Sequence, residues 1–333
     1  MDTSRYARQS VFGKIGIEGQ ATLASSRVAI VGVGALGTVG AELLARSGVG
    51  FLRLIDRDYV ELTNLQRQTL FDEADARENS PKAIAAAEKL RKINSEIVIE
   101  PVVADFNSSN AERLIRDVDI VLDGSDNAAA RYLINDACRK LGKPWVYGGA
   151  IGSVGAVMPF LPDGACFRCL FPNVRNSGES CATVGVLNSL TAIVASMQVT
   201  DALKILLKSD SLDSCYRTFD LWNNEFDAVE VLQDDDCACC AHGEYEYLNA
   251  PFSNNSVSLC GRDAYQVAGN GAVDLDALAE KLCAVGAVRH GEYTLVFESG
   301  DAGFTLFPDG RAIVKNAKTA AAALSVYNEY IGI

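Results

Sequence analysis

The stretch Arg27–Asp58, RVAIVGVGALGTVGAELLARSGVGFLRLIDRD, predicts a strand, a glycine-rich turn, a helix and a second strand. Its glycines, Gly32, Gly34 and Gly37, have the spacing G-x-G-x-x-G, which lets a ligand approach the backbone closely. The helix that follows directs its free N–H groups and positive dipole end at this turn. Asp56 ends the second strand, where this architecture places the acid that binds ribose hydroxyls. The stretch therefore predicts nucleotide binding, and the alternative is a structural strand–helix–strand turn.

The composition sets limits on the class of protein. The chain has 333 residues, 49% of them hydrophobic, which is enough for an α/β core and a second, smaller domain. The net charge of −13 argues against nucleic-acid binding, which depends on Lys and Arg. We find no apolar run of roughly 18 to 20 residues and no signal-peptide core, so we expect a cytoplasmic protein that does not enter a membrane.

Strands and helices alternate beyond the opening stretch. This order predicts a Rossmann-like, mostly parallel sheet with helices on both faces. Extended segments are expected within residues 151–161, and a long helix over about residues 187–207. The further strands predicted are Ile97–Val103, Ile120–Asp123 and Trp145–Gly148, and the helices are Ala83–Ile93, Ala111–Arg116 and Ala128–Lys140.

A change of pattern near residue 250 predicts a domain boundary. Residues 1–249 would form the nucleotide-binding domain and residues 250–333 a small α+β domain. In this tail the predicted helices are Leu275–Val285 and Thr319–Tyr330, and the predicted strands are Glu292–Glu298, Gly303–Phe307 and Ala312–Lys315.

Polar side chains follow several predicted strands at the edge where parallel strands end. Asn64, Arg67 and Gln68 offer donors to a polyphosphate, and Lys82 adds a positive charge at a helix start. Asp126 follows the strand that ends at Asp123 and could hold a hydrated Mg²⁺ on phosphate oxygens. Because these groups should converge on the glycine turn, we expect ATP with Mg²⁺ as the ligand.

Each of these residues also has a structural interpretation. Arg67 could form a surface salt bridge, Lys82 could be a solvated helix start, and Asp126 could cap the next helix. A nicotinamide enzyme would need a proton-transfer residue beside the cofactor. Only His242 and His290 are present, both late in the chain, so this alternative is disfavoured.

Two cysteine pairs predict a metal site. Cys166 and Cys169 are spaced C-x-x-C, and Cys237 and Cys240 repeat that spacing. Four thiolates suit a closed, structural Zn²⁺ site without an open position for catalysis. Cys239 is the alternative to Cys237, and four unligated cysteines are the alternative to the site as a whole.

Two further residues remain open from the sequence alone. Cys181 lies in a loop with nearby glycines and is either a nucleophile or a small buried hydrophobe. Arg5 and Arg8 lie on one side of a helical turn, and composition favours a solvated surface pair.

Taken together, the motifs closely resemble the ThiF/MoeB/HesA family, relatives of the ubiquitin-activating enzymes. The resemblance covers roughly residues 3–245 in order. The residues that carry it are RYARQ at 5–9, IVGVGALG at 30–37, LIDRDYVELTNLQRQTLF at 54–71, SPK at 80–82, LDGSDN at 122–127, CFRC at 166–169, SCATVGVLNSL at 180–190, and the second cysteine cluster.

The resemblance implies adenylation of the C-terminal Gly-Gly carboxylate of a ubiquitin-like sulfur carrier, ThiS-like or MoaD-like, by Mg-ATP. Such activity serves thiamine or molybdenum cofactor biosynthesis. Carried over by position, the roles are ribose binding by Asp56, phosphate contacts by Asn64, Arg67 and Lys82, and Mg²⁺ binding by Asp126 with Asn127 beside it.

The family also implies partners. Arg8 resembles the arginine that reaches the phosphates of the other subunit, which implies a homodimer. Cys181 falls where ThiF-like members carry a cysteine that bonds to the carrier. A sulfurtransferase or cysteine desulfurase is a further partner that the resemblance allows. The tail from residue 250 lies outside the core resemblance, and it either contacts the carrier or covers an edge strand.

Two alternatives remain. The same fold could adenylate a peptide, a small molecule or modified tRNA, and the acidic charge weakens the tRNA version. A non-catalytic nucleotide-binding partner protein is the second alternative, and it predicts missing phosphate-site residues, whereas Arg8, Arg67, Lys82 and Asp126 are all present.

Overall fold

The computed structural model describes residues 4–172, 184–251, 257–258, 264–269, 271–291, 293–300 and 302–332. The chain divides into two compact units. The first comprises residues 1–77 and 81–251, and the second comprises residues 78–80 and 252–333. The change of unit after Pro251 lies close to the domain boundary predicted from the sequence.

The first unit is built on an eight-stranded sheet with the order β3-β2-β1-β4-β5-β6-β7-β8. β1 to β5 are parallel, and β6, β7 and β8 continue the sheet antiparallel. The strands are β1 Arg27–Val31, β2 Phe51–Asp56, β3 Val98–Val103, β4 Ile120–Asp123, β5 Trp145–Ile151, β6 Val154–Phe160, β7 Cys215–Asp220 and β8 Glu225–Glu230. Because the strand order reverses between β1 and β4, a ligand crevice opens at their carboxyl ends.

Helices cover both faces of this sheet, as the sequence predicted. Ile30 of β1 packs in one core cluster, while its neighbour Val31 packs in the other. The helices are α1 Ala7–Ser10, α2 Gly16–Ser25, α3 Ala35–Arg46, α4 Glu73–Glu78, α5 Lys82–Ile93, α6 Ala111–Ile115, α7 Ala128–Leu141, α8 Phe167–Leu170, α9 Asn188–Leu206 and α10 Glu246–Asn249, with a 3-10 turn at Leu62–Asn64. The mostly parallel, Rossmann-like prediction is therefore confirmed.

The helix α9 meets the length and composition of a membrane span, with 50% of its apolar window buried inside the protein. The expectation that no such apolar run exists was therefore wrong. Its buried residues include Val194, Gln198 and Asp201, and Val194 packs in the core of the sheet. Burial against the sheet accounts for its apolar composition, since core helices of this kind are hydrophobic nearly all round.

The second unit is an antiparallel sheet with the order β11-β12-β13-β14-β10-β9 and two helices. Its core includes Phe297, Phe304 and Tyr327. The elements are β9 Val257–Ser258, β10 Ala264–Val267, α11 Leu275–Leu282, β11 Ala287–His290, β12 Leu295–Ser299, β13 Ala302–Leu306, β14 Ala312–Lys315 and α12 Ala320–Tyr330. The small α+β prediction is confirmed, although β9, β10 and β11 were not among the predicted strands.

At the turn after β1, three backbone segments meet so closely that no side chain fits. Gly32 has φ +90°, in the region that favours glycine. A Cβ atom on Gly37 would lie 2.0 Å from the Gly32 carbonyl oxygen, and one on Gly124 would lie 2.2 Å from it. The glycines therefore bring α3 and the loop after β4 against the same turn.

We predict that Gly37→Ala lowers the free energy of unfolding by about 1–3 kcal/mol, because the new methyl group overlaps a backbone oxygen that cannot move freely. Gly164→Ala is the matched control, since a Cβ atom there meets nothing within 4 Å. Denaturant unfolding measures both variants, and equal stability of the two would contradict the packing argument.

Candidate functional site

Asp56 stabilises the glycine turn from the end of β2. Its Oδ2 accepts a hydrogen bond from the Val33 N–H at 2.7 Å, and its Oδ1 accepts one from the Asp58 N–H at 2.7 Å. Burial raises the pKa of the Asp56 carboxyl, and the charge of Lys82 acts in the opposite direction. A carboxylate offers about four lone-pair directions, so this group can hold the turn and still accept a ribose hydroxyl.

Lys82 is the first residue of α5 and lies beside the carboxylate of Asp58. Its side chain is buried, and its Nζ lies 3.2 Å from Asp58 Oδ2. The backbone N–H of Lys82 also donates to the Asp58 carbonyl at 2.9 Å. The interpretation of Lys82 as a solvated helix start is therefore wrong. A buried ammonium retained next to the glycine turn is suited to a phosphate ligand.

The NLQRQ segment brings two buried amides and one arginine to the crevice. Asn64 Oδ1 accepts a hydrogen bond from the Glu61 N–H at 3.0 Å, which fixes the segment. Gln68 Nε2 lies 3.9 Å from the position of a Cβ atom on Gly34, so this amide borders the glycine turn. Among the described residues, its buried Oε1 has no hydrogen-bond partner. It is therefore an acceptor that a ligand could satisfy.

Arg67 is half-buried, and its Nη1 donates to the Thr63 carbonyl at 3.0 Å. Within the described part of the chain it forms no ion pair, so the surface salt-bridge interpretation is not what the structure shows. Its guanidinium has five N–H donors, of which this contact uses one.

The loop after β4 presents Asp126 at its exposed end. Asn127, not Asp126, caps α7, because its Oδ1 accepts a hydrogen bond from the Ala130 N–H at 2.8 Å. The interpretation of Asp126 as the cap is therefore wrong. An exposed carboxylate that the helix does not use, at the carboxyl end of a central strand, fits the ligand chemistry of a hydrated Mg²⁺.

Sequence reasoning missed two arginines near this loop. Arg57 follows Asp56 directly, and its Nη1 lies 2.8 Å from Asp105 Oδ1. Arg131, four residues into α7, pairs with the buried carboxylate of Asp123 at 3.1 Å. The signal for Arg57 was its position after a strand end. The sequence signal for Arg131 was weaker, because this residue lies within a helix.

The N-terminal arginines have different surroundings. Both arginines are exposed, and Arg5 Nη1 also donates to the Ile93 carbonyl at 2.9 Å. Arg8 lies on α1, and its contact with a neighbouring subunit's site stays a prediction. Cys181, the candidate nucleophile, lies outside the described residues, and its role stays a prediction.

Four cysteine thiols meet beside α8 of the first unit. Their Sγ atoms all lie within 4.8 Å of one another, with the Cys166–Cys237 distance 3.6 Å and the Cys169–Cys240 distance 3.4 Å. A Zn–S bond of about 2.3 Å places the sulfurs of a tetrahedral site about 3.8 Å apart. The four preferred cysteines therefore fit a zinc ion.

The fifth cysteine, Cys239, contacts Cys166 but also has a partner outside the set. Its Sγ accepts a hydrogen bond from Asn135 Nδ2 at 3.2 Å. Contact with Cys166 and burial raise the pKa of the Cys169 thiol to about 12. Burial, and after it contact with Cys169, raise the pKa of the Cys240 thiol to about 12. In the absence of a cation these thiols stay protonated, so metal binding would release protons.

Comparison with known proteins extends these observations. Residues 6–240 match the ThiF family. Over 336 aligned positions the chain is 40% identical to the sulfur carrier protein ThiS adenylyltransferase of Bacillus subtilis strain 168, covering 99% of this chain and 100% of that protein. The SAMP-activating enzyme E1 of Haloferax volcanii is 40% identical over 242 positions, which cover 72% of this chain and 89% of that protein.

Solved structures show the same fold at lower identity. A crystal structure of E. coli MccB with ATP has a TM-score of 0.62 and 22% identity, covering 71% of this chain and 74% of that chain. The family match over most of the chain and the relative aligned along its whole length lead to one conclusion: the chain belongs to the ThiF family.

Proposed function

We propose that this protein is an ATP-dependent adenylyltransferase that activates the C-terminal Gly-Gly carboxylate of a ubiquitin-like sulfur carrier protein. The observation that carries this proposal is the 40% identity to a ThiS adenylyltransferase along essentially the whole chain. The crevice supports it, because Asp56, Gln68 and Lys82 surround a glycine turn suited to a nucleotide.

A ThiS-like carrier, and with it thiamine biosynthesis, is the preferred substrate. The alignment with the Bacillus subtilis protein covers 99% of this chain and therefore includes the C-terminal unit. The alignment with the Haloferax volcanii enzyme covers only 72% of it. A MoaD-like carrier for molybdenum cofactor biosynthesis is the second candidate, since adenylation itself would use the same crevice.

In this reaction a carboxylate oxygen of the carrier attacks the α-phosphorus of ATP. The new oxygen–phosphorus bond forms as the bond to the β-phosphate oxygen breaks, and pyrophosphate leaves with that electron pair. The carboxylate is already a nucleophile, so the site needs positioning and charge neutralisation rather than a general base. Lys82 and Arg67 supply positive charge to the phosphates, and Asp56 holds the ribose.

Asp126 is the residue that would hold Mg²⁺. A single carboxylate with waters and phosphate oxygens is an ordinary site for this ion. When bound, the ion supplies neutralisation of the phosphate charge. Asn127 keeps the adjacent helix start in place, so Asp126 remains available.

We predict that Asp126→Ala lowers carrier-dependent exchange of labelled pyrophosphate into ATP by at least about 100-fold. The variant would not hold the Mg²⁺ that neutralises the charge on the phosphates. Asp163→Ala, which changes an exposed aspartate in the turn after β6, should leave exchange unchanged. Absence of exchange by the unmodified protein with any Gly-Gly-ended carrier would refute the proposed function.

The N-terminal region supports a homodimer as part of this proposal. Val11, Phe12 and Ile17 expose 82%, 60% and 77% of their surface, an apolar group that a second copy would cover. Arg8 lies on the same segment and is exposed. An arginine donated to the neighbouring site would complete the set of phosphate contacts.

We predict that mixtures of inactive Arg8→Ala and Asp126→Ala dimers regain about 25% of the exchange activity after subunit exchange. Random pairing makes about half of the dimers mixed, and each mixed dimer has one complete site of two. Arg67→Ala mixed with Asp126→Ala is the control, since both residues serve the site of their own subunit, so a mixed dimer has no complete site and this mixture should stay inactive. A mixture of Arg8→Ala and Asp126→Ala that stays as inactive as this control, although mixed dimers form, would show that Arg8 acts within its own subunit.

A structural Zn²⁺ at the four thiols is a separate part of the proposal. Cys166 directly precedes α8 and Cys169 lies within it, while Cys237 and Cys240 follow β8 by a short segment. The ion would link these two parts of the chain, and with all four positions taken by protein it would supply stability.

We predict that the protein contains about one zinc per chain. Cys237→Ser should lose most of this metal and lower the melting temperature, because a ligand is removed. Cys239→Ser should keep the metal, because its sulfur is held by Asn135 instead. Metal analysis and thermal unfolding measure both effects, and zinc loss in Cys239→Ser alone would reverse the ligand assignment.

Other parts of the proposal rest on the family resemblance alone. They are a carrier-linked role for Cys181 and sulfur supply by a sulfurtransferase or cysteine desulfurase. A cytoplasmic location is proposed from the sequence composition instead. Adenylation of a peptide, a small molecule or modified tRNA remains the alternative reaction. A non-catalytic nucleotide-binding protein is disfavoured because the phosphate-site residues are present.

A further inference from the structure

A buried carboxylate ends β4, directly before the loop that presents Asp126. The side chain of Asp123 is inaccessible to solvent. Its Oδ1 accepts hydrogen bonds from the Ser125 N–H at 2.9 Å and from the Ser125 Oγ at 2.6 Å. Its Oδ2 accepts one from Arg131 Nε at 3.1 Å. Both oxygens are therefore committed to holding the loop and the first turns of α7.

Arg131 joins this loop to two other elements. Its Nη2 donates to the Ser125 carbonyl at 3.0 Å and to the Gly148 carbonyl of β5 at 3.1 Å. The guanidinium carbon lies 5.0 Å from the centre of the Tyr147 ring. A planar group with several fixed donors ties three backbone segments together in one geometry, which lysine could not reproduce.

The backbone carbonyl of Asp123 is held by a residue on the other face of the sheet. Gln198 of α9 is fully buried, and its Nε2 donates to the Asp123 carbonyl at 2.7 Å and to the Val146 carbonyl at 3.1 Å. On the crevice side, Gly124 meets the carbonyl of Gly32 without room for a side chain. The loop is thus fixed from both faces before it reaches the exposed Asp126.

Burial of the Asp123–Arg131 ion pair costs desolvation free energy, so the pair is a weak source of net stability. Burial raises the pKa of the Asp123 carboxyl, and Arg131 acts against this rise. Apolar residues of similar volume often stabilise a core as well as a buried pair does. The two charges largely cancel, so the effect of the pair on the crevice is geometric. What the pair determines is the direction in which the loop leaves β4.

We propose that Arg131 and Asp123 are positioning residues, which set Asp126 at the distance and angle required for binding Mg-ATP. This inference rests on the proposed function, because it assumes a nucleotide at the crevice. Removal of such a supporting contact typically weakens metal affinity by about 10- to 100-fold without removing a ligand.

The test measures binding of a fluorescent ATP analogue to the full-length protein without carrier, during titration with MgCl₂ and again in EDTA. Arg131→Lys should raise the Mg²⁺ concentration for half-maximal binding by about tenfold and leave binding in EDTA unchanged. Ser125→Ala, which removes one donor to Asp123, should shift it in the same direction by less, and it remains informative if Arg131→Lys does not fold.

Arg53→Lys is the matched control. Arg53 is also a buried arginine that bonds two carboxylates and a carbonyl, those of Glu100, Asp117 and Leu114, but at the opposite end of the strands. It should lower the melting temperature without changing the Mg²⁺ requirement. An unchanged requirement in both Arg131→Lys and Ser125→Ala would overturn the proposal. Equal weakening of ATP-analogue binding by Arg131→Lys in EDTA and in MgCl₂ would also overturn the proposal, since Arg131 would then contact the phosphates directly.

Pyrophosphate exchange by the unmodified protein separates this proposal from the proposed function. Mg²⁺-dependent binding that Arg131→Lys shifts, without any carrier-dependent exchange, would support the positioning role and refute the adenylation reaction. Exchange by the unmodified protein together with an unshifted Mg²⁺ requirement in the variants would leave the reaction in place and refute the positioning role.

Discussion

The close meeting of backbone at the Gly32 carbonyl is the constraint on which the rest of the site depends. Cβ atoms on Gly37 or Gly124 would lie 2.0 Å or 2.2 Å from that oxygen, so only glycine allows α3 and the loop after β4 to approach it together. This approach sets the start of α3 over the turn and the loop after β4 beside it. The Asp56 carboxylate then fixes the turn through the Val33 N–H.

The charges around this turn are held in place before any ligand arrives. Lys82 is buried beside Asp58, and Asp123 is buried beside Arg131. Fixed charges in a partly buried crevice act more strongly on a phosphate than solvated ones would, and they need little rearrangement as the reaction proceeds. A reaction whose nucleophile is already ionised gains most from this kind of arrangement.

The sequence allowed the sheet and most of the crevice to be predicted because both depend on local patterns. The apolar run before Gly32 and the acid at Asp56 are close in the chain and have one common structural explanation. The strands β7 and β8 were missed because neither shows a buried alternation: all six residues of β8 are exposed, and only Phe219 of β7 is buried. The burial of Lys82 and the capping role of Asn127 depend on contacts with other elements, which a pattern of residue types does not contain.

Arg131 is a further residue whose role cannot be predicted from the pattern of residue types. In the sequence it is one of several charged residues in a helix, and nothing distinguishes it from Arg139 two turns later. Its partners lie at the end of β4, in the loop that follows it and within β5, and they become neighbours only once the parallel sheet has formed. Residues that bind a ligand directly follow strand ends and can be predicted from topology. Residues that position them face inward, and only the packed structure distinguishes their polar contacts from ordinary surface charge.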